Sequence, residues 1–302
     1  MGVSWPDDVD AVFGGDMTAA LGILTTAGGV VISAVAPVGL RDREAGTVTF
    51  TTSLGLGRKL DRIKRDPRVA LAYHAREHGF ATGSQYVLVQ GRCRPVPPAD
   101  PDWNERVLGP ASARFMGPPR RGFFWDRWLQ EYYADRVPVT IDVDRIVVWP
   151  ALDASGAPVV HGQPRPTAEP PPQSPPKKGT GPRLDAAGAA AKLAKLPHVL
   201  AGWREADGYP LVAPVTVEDG FRLRSNVALP PGGRRAGVLG HAYKAKLVGL
   251  QARWHTGWLE DGVYAPHTKG AFRAPSNKTL LLIGNGLLAK QGLRKARRAG
   301  RT

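Results

Sequence analysis

The clearest pattern in the chain is a change of period. Thr47–Ser53 alternates polar and apolar residues two by two, which predicts a strand. Immediately afterwards Leu56, Leu60 and Ile63 fall at i, i+4 and i+7, with Lys59, Arg62 and Lys64 elsewhere on the wheel. That spacing predicts a helix over 56–65, stopped by Asp66-Pro67. Upstream, an acidic start followed by Val9, Val12 and Phe13 predicts an amphipathic helix over Asp7–Leu21. Ile23–Thr26, a Gly28-Gly29 turn and Val30–Val38 read as a hairpin. Downstream, Val69–His74 and Tyr86–Val96 read as strands, and Trp103–Leu108 and Phe124–Ala134 as helices. Val137–Trp149 reads as one long strand or a bent pair. Six or so strands with short helices predict a mainly β fold, a small barrel with helical inserts.

The second half repeats the first in reduced form. Leu211–Val215 echoes Ala34–Val38, Phe221–Ser225 echoes Thr49–Ser53, and Gly237–Ala242 echoes Ala70–Ala75. Leu247–Trp258 stands where Val87–Val96 stood. The helix of 56–65 has no counterpart; the Pro/Gly-rich stretch 228–235 replaces it. Between the halves, 162–182 (GQPRPTAEPPPQSPPKKGTGP) is too proline-rich for helix or central strand. The expected organisation is a domain over 1–161, a linker over 162–182, and a degenerate second barrel over 183–302 that ends in a basic helix.

Charge divides along the same line. Of the net +15 in 302 residues, 1–158 contribute nothing, with 18 basic and 18 acidic side chains, whereas 183–302 carry 20 basic and 7 acidic ones. Six of those cations, Lys290, Arg294, Lys295, Arg297, Arg298 and Arg301, crowd the C-terminus and read as the solvated face of a terminal helix. Nucleic acid is therefore not the expected partner. No apolar run approaches the ~20 residues of a membrane helix. The acidic N-terminal stretch lacks the pattern of a signal peptide, so a cytoplasmic location is expected. The lone Cys93 excludes an internal disulfide. Of seven histidines only His74 and His78 fall at i, i+4, across an expected strand end where that spacing does not converge, and none forms HExxH, so no metal is expected.

Candidate chemistry concentrates at Thr51-Thr52-Ser53-Leu54-Gly55-Leu56-Gly57-Arg58-Lys59. A strand delivers three hydroxyls to a glycine-bearing turn, and a helix then starts with two cations in its first turn. Such cations oppose the helix dipole by ~0.3–1 kcal/mol each unless an anion compensates. The residues alone leave two readings open. Either a phosphate docks here, or the hydroxyls cap the helix and the cations face water.

The segments ILTTAGGVVISAVAPVG, TVTFTTS, GRKLDRIKRDPRVALAYH and VLVQGRCRPV resemble the flavin-binding split-barrel superfamily. That superfamily includes pyridoxamine 5′-phosphate oxidase and actinobacterial oxidoreductases that use FMN or the deazaflavin F420. The likeness spans most of 12–150, is most specific at Arg58-Lys59…Asp66-Pro67-Arg68-Val69, and is fainter in the second half. It implies tandem split β-barrels in which Thr51, Thr52, Ser53, Arg58 and Lys59 hold the cofactor phosphate. Ser33, Val35, Ala36 and Pro37 would lie against the ring system, with Gln90 and Arg92 at its polar edge.

The implied activity is hydride transfer between FMN or F420 and a small organic substrate, with no acid or base residue singled out. The implied alternative is a non-catalytic cofactor- or haem-binding barrel. In the superfamily the cofactor lies between two barrels. A tandem chain would build that groove as a pseudo-dimer, or would itself pair as a homodimer. One wall would come from the basic half, through His241, Lys244, Lys246, Arg253 and His255. The arginine-rich C-terminal substrate signature of pyridoxamine 5′-phosphate oxidase itself is absent, so vitamin B6 synthesis is not implied.

Overall fold

Gly14 and Gly15 decide where the first helix ends. The helix α1 (Asp7–Gly15) starts with Asp7, Asp8 and Asp10 at its positive end and buries Val9, Val12 and Phe13. Helix is expected as far as Leu21, yet the chain passes into strand β1 (Ala19–Leu24). The glycine pair explains the difference, because a Cβ at Gly15 would lie 2.5 Å from the Ala81 nitrogen.

The computed structural model describes residues 2–298 and 300; Arg301 of the terminal basic run lies outside them. The first sheet continues with β2 (Val30–Val35), β3 (Arg41–Asp42), β4 (Thr47–Ser53), β5 (Arg68–Tyr73), β6 (Tyr86–Cys93), β7 (Arg136–Trp149) and β8 (Val159–Gly162). Helix α2 (Gly57–Arg65) follows β4. Between β6 and β7 lie α3 (Pro101–Trp103), a π-helical segment over 104–108, α4 (Gly109–Met116) and α5 (Phe123–Ala134). Val137–Trp149 is thus a single strand rather than a bent pair. The strand order is β2-β1-β5-β6-β7-β4-β3, with β8 beside β7.

The second sheet repeats that order. Helix α6 (Ala186–Leu193) leads into β9 (His198–Arg204), β10 (Pro210–Pro214), β11 (Thr216–Glu218), β12 (Arg222–Arg224), β13 (Arg234–Ala242), β14 (Gln251–Glu260) and β15 (Val263–Arg273). They are arranged β10-β9-β13-β14-β15-β12-β11. Each strand of the rear lobe therefore has a counterpart in the front lobe, and nothing between β12 and β13 corresponds to α2. The fold is mainly β, two antiparallel sheets forming tandem split barrels.

Strand alternation gives each lobe two faces. In the front lobe Leu21, Ile23, Leu71, Tyr73, Val87 and Val89 point inward and pack with α1. Each fully buried Val, Leu or Phe there contributes about 1.5–3 kcal/mol relative to exposure. The opposite face (Ala20, Ala70, Ala72, Leu88) joins Leu200, Val212, Ala213 and Leu239 of the rear lobe in one continuous core. Small residues let the sheets approach: a Cβ at Gly22 would stand 2.7 Å from Val212, and one at Gly202 would stand 3.0 Å from Ile32.

The proline-rich connection runs along this seam. The Gln173 side chain donates to the Gly28 carbonyl at 2.9 Å and accepts from the Arg235 amide at 3.0 Å, so it bridges the lobes. The last helix, α7 (Lys278–Arg298), folds back across the front lobe onto α5 and the β4–α2 corner.

Candidate functional site

The β4–α2 corner is built as the period change predicts. Thr52 faces inward with Val48 and Phe50, and Thr51 and Ser53 point the other way. In α2, Ile63 is buried and Leu60 packs partly on the core. No side chain caps the helix start and no acid lies in its first turn. Arg58 is exposed and Lys59 half-buried, and neither forms an ion pair among the described residues. Burial, with Arg136 nearby, pushes the Lys59 ammonium down to about 8. The Thr52 hydroxyl is buried without a hydrogen-bond partner.

Ser53 is already engaged. Its hydroxyl donates to the Asp135 carboxylate and accepts from the Gly55 amide at 3.0 Å. Asp135, 1% exposed, is pushed upward by burial against the opposing pull of Arg136. The turn is also covered. A Cβ at Gly55 would sit 2.6 Å from the Gly292 Cα, and Leu293 and Ala296 of α7 pack on Leu54 and Val137. Unexplained polar capacity therefore survives at the inward-facing Thr52 hydroxyl and at Arg58 and Lys59. Those groups fit a phosphate oxyanion. The Ser53 hydroxyl and the Gly55 backbone are spent within the protein.

The residues expected against a ring system divide. Ser33 points into the front barrel, where its hydroxyl is buried and unpartnered, and Val35 shares its face. Ala36, half-buried, packs with Val38, Phe115, Met116, Tyr243 and Leu247 in a small inter-lobe cluster. Pro37 is buried in the turn that follows β2.

Gln90 and Arg92 are committed across the seam. Gln90 is fully buried; its amide nitrogen donates to Glu205 and to the Pro210 carbonyl, each at 2.7 Å, and its oxygen accepts from Arg145 at 2.5 Å. Arg145, 2% exposed, also pairs with Glu205 at 3.3 Å and Asp207 at 2.5 Å. Arg92 donates to the Tyr209 hydroxyl at 3.1 Å. This network clamps the front sheet to the Glu205–Tyr209 turn. It escapes sequence reasoning because its bonded members lie 55 to 120 residues apart.

The basic-half residues part company as well. His241 lies in the seam, fully buried, with its Nε2 2.6 Å from the Nε2 of His74. The register makes these two histidines counterparts in their lobes. The His74 Nδ1–H donates to the Ala72 carbonyl at 3.0 Å, so its Nε2 accepts and the His241 Nε2–H donates. The His241 Nδ1 is left without a partner. Burial holds both rings neutral, pushing His74 down to about 3 and His241 well below its ordinary value. His198 packs against the pair and bonds Glu77 at 2.9 Å. Lys244 and Lys246 stand at a turn after β13, whereas Arg253 and His255 lie inside the rear lobe.

Among the described residues no group of three or more His, Cys, Asp or Glu is arranged to hold a metal ion, and no helix is long and apolar enough to cross a membrane.

No family model matches the sequence, and no curated protein matches it. Solved structures similar to this chain include a conserved hypothetical protein of Mycobacterium tuberculosis, 19% identical over 49% of this chain and 87% of that one, with a TM-score of 0.36. A structure described as an F420 reductase is 17% identical over 47% of this chain and 98% of its own, with a TM-score of 0.35. A haem-binding protein of Mycobacterium smegmatis is 14% identical over 97% of this chain and 100% of its own, with a TM-score of 0.33.

Proposed function

We propose that the protein binds a flavin-type cofactor, FMN or F420, at the front lobe and uses it for hydride transfer with a small organic substrate. The observation that carries this reading is the uncapped start of α2. Arg58 and Lys59 stand there without acidic partners among the described residues, and the Thr52 hydroxyl of the preceding strand is buried without a partner. A cofactor phosphate would satisfy the helix N–H groups, both cations and that hydroxyl together. It would also hold Lys59 in its charged form against the depression caused by burial. The cofactor would supply the redox chemistry; the chain would bind it, orient it and exclude water. Ser33, Val35, Ala36 and Pro37 are proposed to flank its ring system, and Thr51 to line the phosphate end. The seam network keeps the Gln90 amide for the lobes themselves.

Titration of the full chain with FMN and with F420, followed by fluorescence, tests the assignment. Charge-assisted contacts contribute ~1.5–3 kcal/mol each, so Arg58→Ala with Lys59→Ala should weaken binding at least about tenfold. Unchanged affinity for both cofactors removes the site. A non-catalytic cofactor-binding role is favoured by one specific feature, the packing of α7 over the corner. Reduction and substrate-driven reoxidation of the bound cofactor separate the two: turnover supports the enzyme, and a redox-inert ligand the binder.

A further inference from the structure

The interior of the rear lobe differs in kind from that of the front lobe. Pairing of β13 with β14 sets Gly240 opposite Arg253 and Val238 opposite His255. Pairing of β14 with β15 sets Arg253 opposite Ala271 and His255 opposite Lys269. Cross-strand partners share a face, so all of these lie on the same face of the sheet, the one turned toward α6, with Lys269 and Ala271 at its exposed rim. The corresponding pairs in the front lobe are Tyr73–Val87, Leu71–Val89, Val87–Val148 and Val89–Ile146. Four apolar core positions have become arginine, histidine, lysine and alanine.

Between these strands and α6 lies a cleft of about 420 Å³; a smaller one of about 270 Å³ shares Arg253 and Ala271 with it and is lined by Arg273. That volume suits a small molecule. Lys192 of α6, Arg253 and Lys269 bring three cations to the larger cleft, Arg273 stands in the smaller one, and none of the four forms an ion pair among the described residues. One carboxylate lines the cleft, that of Asp185, and it accepts from the Gly188 amide at 2.9 Å as the cap of α6. His255, 6% exposed, is hydrogen-bonded to the Thr268 backbone, and its Nδ1 is buried without a partner. Three unneutralised cations lining one cleft with an orphaned buried ring nitrogen constitute a site built for negative charge that the protein does not itself supply.

We infer that the rear barrel opens into an anion-binding cleft for a small molecule carrying two or more phosphate groups, with Arg253, Lys269 and His255 as its principal contacts. The arginine fork suits adjacent phosphoryl oxygens, and the lysines neutralise the remaining charge. The site stands apart from the β4–α2 corner and does not depend on what binds there. A polyphosphate would also draw a proton onto His255, whose ring faces Arg253 and Lys269 from the strands and Asp185 and Lys192 from α6. Its affinity should therefore rise as pH falls from 8 to 6.

Calorimetric titration of the full chain with inorganic pyrophosphate and tripolyphosphate, at fixed ionic strength, tests this. A saturable site is expected that Lys269→Ala and Arg253→Gln each weaken at least tenfold and that survives Arg58→Ala with Lys59→Ala at the front lobe. It should be retained by the charge-matched variants Lys177→Ala and Lys278→Ala, two exposed lysines outside the cleft, with the pH dependence flattened in His255→Asn. Lys269 is exposed, so its variant reads binding without threatening the fold. Non-saturable binding, equal losses in the charge-matched variants, or tighter binding of a tricarboxylate would each overturn the proposal.

Discussion

The two lobes share one strand order and differ in what each does with its interior. The front barrel is closed by α1 over an apolar core; the rear barrel, under α6, admits charge at the same register positions. Their shared face is treated in the opposite way: both lobes keep much of it small and apolar, with Gly22 and Gly202 at corresponding positions, and hold its polar groups in bonded sets such as the Gln90–Arg145–Glu205 network. The comparison separates two demands on a duplicated barrel. The face that meets the partner tolerates little change, because every added atom collides with a sheet. The lumen can be refilled freely as long as something fills or solvates it.

The strongest way to break the comparison is to give the front barrel the rear barrel's chemistry. Val87→Arg buries an unpaired charge at a fully buried position, and its cost should be at least ~3 kcal/mol or failure to fold. The reverse change, Arg253→Val, should shift stability by less than about 1 kcal/mol. Urea unfolding midpoints read both, and comparable losses would refute the asymmetry.

Next in size is the histidine pair at the seam. His74 has an ordinary value of 6.5 and about 3 in the fold, so below pH 6.5 the unfolded chain binds a proton that the native one refuses. Stability is then complete above pH 6.5 and falls with decreasing pH by about 1.4 kcal/mol per pH unit for that group, until about pH 3. His241, depressed in the same direction, adds to the slope. Unfolding free energies at pH 7.5, 6.5 and 5.5 test this, and His74→Gln should flatten the profile.

Overpacking the shared face comes third. Gly22→Val drives a side chain into Val212 and should cost ~1–3 kcal/mol, whereas the same change at a solvent-facing glycine would not. The smallest effect lies outside both lobes: Gly284→Ala in α7, with nothing within 4 Å of the new Cβ, should stabilise by ~0.5–1 kcal/mol in thermal unfolding.

Much of the front lobe was legible because its faces obey simple periods. Thr47–Ser53 alternates cleanly, and Leu60 with Ile63 marks the inward stripe of α2. The rear lobe was harder to read for the reason that makes it distinctive. In β15 the cleft-facing Lys269 is charged and Ala271 is small, and Pro266 and Gly270 interrupt the run, so alternation gives no apolar stripe. β9 and α6 passed unread, the latter as an alanine-rich stretch with little amphipathic contrast.

The terminal helix carried a signal overlooked beside its charges. Gly286, Ala289, Leu293 and Ala296 fall at spacings of three and four, a narrow stripe of small residues for close packing, and these are its buried positions. At the candidate site, the basic turn could be read from the sequence. Its cover by α7 and the engagement of Ser53 with Asp135 could not, since both depend on contacts made long after the segment ends.

The strap over 163–185 has a consequence of another sort. Two barrels on separate chains would meet at a rate set by how much protein is present, and would part on dilution. Joined and pinned through Gln173, these two see each other at a fixed, high local concentration whatever the cell contains. Neither half need ever pair with a copy of itself, so each is at liberty to lose what the other retains.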